Sequence, residues 1–133
     1  MREILFKAKR LDNGEWISGS LVCFAGGARA ILPSDSETLF SKSKGFICCD
    51  TCHDVDPSTV CEWTGLIDRD GTKVFEGDRL FDPHEKRTFV VEYDPLEAGF
   101  ILESNDGRYV NFNRVPYSKI IGNIYDREGN DDD

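Results

Sequence analysis

Turn signals recur so often along the second half of this chain that no long helix fits between them. Asp68-Arg69-Asp70-Gly71, Asp82-Pro83, Asp94-Pro95 and Asn105-Asp106-Gly107 divide the stretch 58–126 into short runs. These signals work because Gly and Asn tolerate positive φ, Asp bonds nearby backbone amides, and Pro removes a donor. The runs between them are rich in β-forming residues: Thr59 to Ile67, Lys73 to Phe81 with a break at Gly77, Thr88 to Tyr93, Gly99 to Glu103, Arg108 to Phe112 and Ile120 to Tyr125. Short strands at such spacing predict a small barrel or sandwich. Glu76-Gly77-Asp78 before an apolar pair resembles a recurring piece of SH3-like barrels, so the expectation for 58–126 is a small SH3-like barrel. Helix is expected only around Val115 to Lys119.

The first part of the chain reads differently. Ile4, Phe6 and Ala8 alternate with charged positions, the period of a half-buried strand. Asn13-Gly14 then separates that run from Glu15 to Phe24, a strong short-range hairpin signal with Trp16 near the turn. Residues 28–32 read as a short strand ended by Pro33, Ser34 to Lys44 as a polar loop around Leu39-Phe40, and Gly45 to Cys49 as a short strand. The expected organisation is therefore mostly β: an N-terminal hairpin lobe with a variable loop over 1–57, a small barrel lobe over 58–126, and a frayed acidic tail over 127–133.

At 133 residues the chain holds one compact domain or two small lobes, and it needs neither disulfide nor metal merely to fold. The formal charge of −9 weighs against binding to nucleic-acid backbones, whose affinity comes from Lys and Arg releasing counterions. It suits a soluble protein, or one that meets a basic partner. No window is apolar enough for a membrane span. The start, Met1-Arg2-Glu3 with Lys7 soon after, does not read as a signal peptide. The five cysteines, an odd number, then read as reduced thiols of a cytoplasmic protein.

The stretch from Asp56 to Leu80 carries a distinctive set of residues: Asp56-Pro57, Thr59-Val60, Trp63-Thr64-Gly65-Leu66, Asp68 with Gly71, and Phe75-Glu76-Gly77-Asp78. Together they resemble the signature of the YopX family, which occurs in bacteriophages and prophages. The start, Met1-Arg2-Glu3-Ile4 with Phe6 and Ala8, and the segment Ile121-Gly122-Asn123-Ile124-Tyr125 are similar to that family as well. Two positions depart from its pattern: Cys61-Glu62, where Gly-Gln is more usual, and Arg79, where an apolar residue is more usual. The segment Ala25 to Val55 matches little. The resemblance implies a β-rich phage or prophage protein that works in the bacterial cytoplasm and forms homo-oligomers. It supplies no activity, cofactor or catalytic residue to carry over.

Chemistry has few places to reside. Cys48-Cys49-Asp50-Thr51-Cys52-His53 formally matches a covalent haem motif at Cys49, Cys52 and His53, but export and a distal ligand are both missing, since Met1 is the sole Met. Zinc fits better, with Cys49 and Cys52 joined by His53, Cys61 or Cys48, yet a second ligand pair is lacking. A redox dithiol at Cys49 and Cys52 lacks the helix that would lower a thiol pKa. Reduced cysteines near a loop are the leading expectation. Asp68 to Arg79 fails as a calcium loop, with Lys73 at the glycine position and Arg79 at the bidentate one. Asp82, His84 and Glu85 offer acid–base groups without a nucleophile at informative spacing. Thr64, Gly65, Leu66, Asp68, Gly71, Glu76, Gly77 and Asp78 read as structural, bending the chain and bonding turn amides.

The sequence thus points to a non-enzymatic protein acting by self-assembly or by binding a host or phage protein. The alternatives are a zinc or thiol site at Cys49, Cys52, His53 and Cys61, and nucleic-acid binding through the barrel, with Phe112 or Tyr117 stacking on bases.

Overall fold

A computed structural model describes residues 2–33, 39–41, 46–48 and 52–126. The expected tail at 127–133 and the Cys49 end of the cysteine segment lie outside these residues. The chain divides into two compact units, Glu3–Glu62 and Trp63–Asp133.

The first unit begins with the hairpin that Asn13-Gly14 announces. Strand β1 (Phe6–Lys9) pairs antiparallel with β2 (Trp16–Cys23), Lys9 opposite Trp16. The turn is closed by N–H donation from Gly14 to the Arg10 carbonyl (2.9 Å) and from Arg10 to the Glu15 carbonyl (2.9 Å). The Asn13 side chain accepts from the Glu15 N–H at 2.9 Å, the self-bonding that suits Asn to turns. After a 3-10 turn (Ala25–Gly27), β3 (Arg29–Pro33) pairs with β2. At Gly19 the strands approach so closely that a Cβ would lie 1.9 Å from the Leu32 carbonyl oxygen, so only glycine fits. The backbone then forms β4 (Leu39–Ser41) paired with β5 (Phe46–Cys48), so part of the segment expected as a loop is a strand. Strand β6 (His53–Val55) pairs with β3, and a second 3-10 turn (Pro57–Thr59) leads to β7 (Cys61–Ile67), whose first residues pair with β1.

This sheet curls. The end of β1 reaches β6, with Arg10 bridging Val55, the Leu11 N–H donating to Asp54 O (3.0 Å) and the Asp56 N–H to Lys9 O (2.8 Å). One bridge is not a ladder, and the barrel stays open. The concave side gathers Ala8, Ile31 and Val55, all essentially buried, against Phe6, Ile17, Leu21 and Val60. Alternation along β1 and β2 puts every second residue there.

In the second unit, β7 continues from Trp63 and pairs with β8 (Lys73–Phe75). Strands β9 (Asp78–Asp82), β10 (Arg87–Asp94), β11 (Gly99–Ser104) and β12 (Lys119–Asn123) form a four-stranded antiparallel sheet in the order β11-β10-β9-β12. Val74, Leu80, Phe89, Val91, Leu102, Val110 and Val115 make its core, with Leu66, Phe100 and Ile120 packed against them. Each such side chain contributes on the order of 1.5–3 kcal/mol when fully buried.

The mostly β expectation with little helix holds, but the expected barrel does not close. β11 and β12 remain separate edges. The inner face is instead covered by the β7–β8 hairpin, through Leu66 and Val74, and by the third 3-10 turn (Phe112–Tyr117), through Val115. That turn also corrects two local expectations. The run from Arg108 to Phe112 makes only a bridge, Tyr109 to Glu103, and the short helix lies at Phe112–Tyr117 rather than Val115 to Lys119. Asn111 stops the strand by accepting from the Asn113 N–H with its side chain (2.9 Å).

Both units follow one path. In the first, β1, β2, β3 and β6 run in antiparallel succession, and the chain returns through a 3-10 turn to β7 beside β1. In the second, β9, β10, β11 and the bridge at Tyr109 are followed by a 3-10 turn and by β12 beside β9. Each of these two 3-10 turns is capped alike: Asp56 accepts from the Ser58 N–H (3.0 Å) as Asn111 accepts from Asn113. No sequence repeat announces this.

Candidate functional site

The residues of the YopX-like stretch from Trp63 to Asp78 lie on a bulge and turns of the second unit. Thr64-Gly65-Leu66 is a bulge in β7, where the pairing with β8 slips between Trp63 and Leu66. The Thr64 hydroxyl donates to the Val74 carbonyl (2.8 Å) and accepts from the Leu66 N–H (3.2 Å), while the Trp63 indole N–H donates to the Leu66 carbonyl (2.8 Å). Gly71 closes the following turn by donating its N–H to the Asp68 carbonyl (3.0 Å).

Three buried carboxylates then tie distant segments together. Asp68 accepts from the N–H groups of Asp70 and Thr72 (both 2.9 Å) and, across the unit, of Ile120 (3.1 Å). Burial alone would raise its pKa, but the amides of Ile120, Thr72 and Asp70 outweigh it and hold the carboxyl below the ordinary range. Asp78 accepts from the Phe75 N–H (2.7 Å) and the Asn123 side-chain amide (2.9 Å). Beside it, Gly77 has φ +87°, and a Cβ there would meet the side chains of Asn123 and Ile124 at 3.2 Å. The Ile124 N–H donates to the Gly77 carbonyl at 2.9 Å. The Glu76-Gly77-Asp78 bend is thus sutured to Asn123 and Ile124, the other segment that resembles the family.

Asp82 completes the set. It takes two parallel hydrogen bonds from Arg114 (2.7 and 2.9 Å) and caps its own turn by accepting from the N–H groups of His84 (3.0 Å) and Glu85 (3.3 Å). The Arg114 hydrogen bond is the chief cause that lowers its pKa to about 2. A carboxylate so held is a poor proton acceptor near neutral pH. Its neighbours His84 and Glu85 are exposed, so this trio forms a turn rather than an assembled acid–base site.

The cysteine segment is only partly described. Cys52 is exposed, and His53 is half-buried on β6 opposite Ile31. Cys61 is fully buried on β7, its thiol donating to the Thr59 carbonyl (3.2 Å). Alignment along β1 sets Cys61 opposite Lys7 and Val55 opposite Arg10, which places His53 beyond the turn end of β1. Cys61 thus pairs with the middle of β1, whereas β6 meets that strand only past its last residue, at Arg10. The fold does not bring His53 and Cys61 together. Among the described residues, no group of three His, Cys, Asp or Glu side chains is placed to hold a metal ion. His53 instead shares a depression of about 370 Å³ with Leu11, Asp12, Cys52 and Asp54.

Two aromatic placements bear on binding. Trp16 is half-buried with the ammonium groups of Lys7 and Lys9 over its ring, 4.6 and 5.4 Å from the centroid. Tyr117 is 62% exposed, and the Arg114 guanidinium, already fixed by Asp82, lies 5.1 Å from its ring. Phe112 is less exposed, at 38%. What sequence reading missed altogether is the outer face of the second sheet, where Phe81 and Ile121 are exposed beside charged neighbours. The alternation Asp78-Arg79-Leu80-Phe81-Asp82 was the available signal, because burial of Leu80 forces Phe81 outward. Among the described residues, no helix is long and apolar enough to cross a membrane.

Comparison with known proteins agrees with the motif geometry. The family model described as YopX protein matches residues 5–128, nearly the whole chain. No curated protein matches. A match of this extent, over the same bulge, turns and sutures that the fold builds from those residues, assigns the chain to the YopX family.

Proposed function

We propose that this chain is a phage or prophage accessory protein that works in the bacterial cytoplasm without catalysing a reaction, by associating with itself or with another protein. The observation that carries this reading is the apolar surface on the outer side of the second sheet, with Phe81 at 37% and Ile121 at 56% exposure. Large apolar side chains grouped on a solvent face favour a protein partner. The use of Asp68, Asp78 and Asp82 as turn staples supports the non-catalytic part. The strand path repeated in both units supports an SH3-like reading of each, a fold type that serves many functions and so does not by itself choose one.

Native mass spectrometry under reducing conditions, with sedimentation at several concentrations, tests the reading. A fixed stoichiometry, or a defined complex with a purified partner, is the expected result. A monomer at all concentrations that also turns over a substrate would overturn it.

One observation favours a second reading. Tyr117, exposed and propped by Arg114, is a platform on which a base of single-stranded nucleic acid would stack. The charge of −9 opposes it. Fluorescence anisotropy with a labelled oligonucleotide at low salt decides the matter.

A further inference from the structure

We propose that the outer face of the β11-β10-β9-β12 sheet packs against the same face of a second copy of this chain, about a two-fold axis running along the strands between β9 and β10. This rests on the self-association reading above and names its surface.

Alternation defines the face. Leu80, Phe89, Val91 and Leu102 point into the core, so Phe81 on β9, Val90 on β10 and Ile101 on β11 point away from it, and Ile121 emerges from the bulge in β12. They form an apolar stripe across the sheet, half-buried at Val90 and Ile101 and exposed at Phe81 and Ile121.

The charges beside this stripe are sorted by strand. Arg79 on β9 and Lys119 on β12 are exposed on one half, Lys119 directly opposite Phe81. Glu92 on β10 and Glu103 on β11 occupy the other half, Glu103 opposite Val90 and Glu92 opposite Ile101. Burial, together with the neighbouring Glu103 and Asp94 carboxylates, raises the Glu92 pKa. A face that is basic on one side and acidic on the other repels itself in one orientation and matches itself in the opposite one. The two-fold axis stated above sets the β9 and β12 half of one copy over the β10 and β11 half of the other. Arg79 then lies over Val90 of the second copy, beside its Glu103 on the next strand and its Glu92 two residues along β10, and the same contact occurs again by symmetry. The charge layout selects a second copy over an unrelated partner because the surface is its own complement.

The test uses two charge reversals on the full chain, Arg79→Glu and Glu103→Arg, followed by sedimentation velocity. Each variant alone sets like charges against each other twice, and self-association weakens by at least about tenfold. Mixed one to one, the two variants carry opposite charges at both contacts, and association returns. Circular dichroism and melting temperature confirm that each variant is folded. Unmodified protein that stays monomeric defeats the self-association reading itself. Unmodified protein that associates while both single variants associate equally well defeats this face alone. Loss in the single variants without recovery in the mixture overturns the two-fold placement of Arg79 beside Glu103.

Discussion

Asp82 and Arg114, 32 residues apart, meet through two parallel hydrogen bonds of 2.7 and 2.9 Å, and the carboxylate is only 1% exposed. The pair fastens the end of β9 to the third 3-10 turn. Removing the carboxylate leaves a half-buried guanidinium unpaired and two turn amides without their acceptor. Asp82→Ala is therefore expected to lower stability by about 3 kcal/mol, read from urea unfolding curves. A loss within error of zero would show that the pair is decorative.

The same carboxylate sets an acid limit. Its folded pKa of about 2 lies below the ordinary 3.8, so the folded state holds the proton more weakly than the unfolded chain. Its contribution is present in full above the unfolded value and is lost as pH falls toward the folded one. The contribution is roughly 2 kcal/mol, lost between about pH 4 and pH 2. Asp68 adds to the loss in the same direction. Stability measured against pH should fall over this window, and Asp82→Asn should flatten the fall.

Gly77→Ala introduces a Cβ at φ +87° within 3.2 Å of the Asn123 and Ile124 side chains. Strain and crowding act together, and the expected cost is about 1–3 kcal/mol. Gly14→Ala makes the control, since its φ is +74° but nothing lies within 4 Å. The difference between the two variants in thermal melts isolates the suture to β12.

Thiol labelling separates the cysteines by burial. Cys23 is exposed and Cys61 fully buried. A thiol reagent followed by peptide mapping should mark Cys23 in the native protein and reach Cys61 only after denaturation. Prompt labelling of Cys61 would show that the β7 edge opens readily.

Much of this fold was legible because its signals are local. Asn13-Gly14 placed a hairpin, and Gly77 placed the break between β8 and β9. The exceptions were decided by distant partners. Tyr109 lies in a run of good β formers, yet Asn111 and the packing of Val115 turn the chain into a 3-10 turn instead. β6 is only three residues long, and its place comes from β3 and the end of β1 rather than from its own composition. Asp68, Gly77 and Asp78 stood out as structural from residue type alone. That Asp68 bonds Ile120, or that Asp82 holds Arg114, has no signature at separations of 52 and 32 residues. The charged halves of the outer face were hidden for the same reason: Arg79 and Glu103 share one face only once β9, β10 and β11 are in register.

The seat of β12 beside β9 bears on how the protein is made. During synthesis β9, β10 and β11 emerge well before β12, and the Asp68 carboxylate must wait 52 residues for the Ile120 amide. Until then the outer edge of β9 presents unpaired backbone groups in a nascent chain, a surface open to wrong strands. Completion of this unit therefore waits until Lys119–Asn123 has been made. A ribosome stalled before Lys119 would hold a chain whose sheet lacks its closing edge.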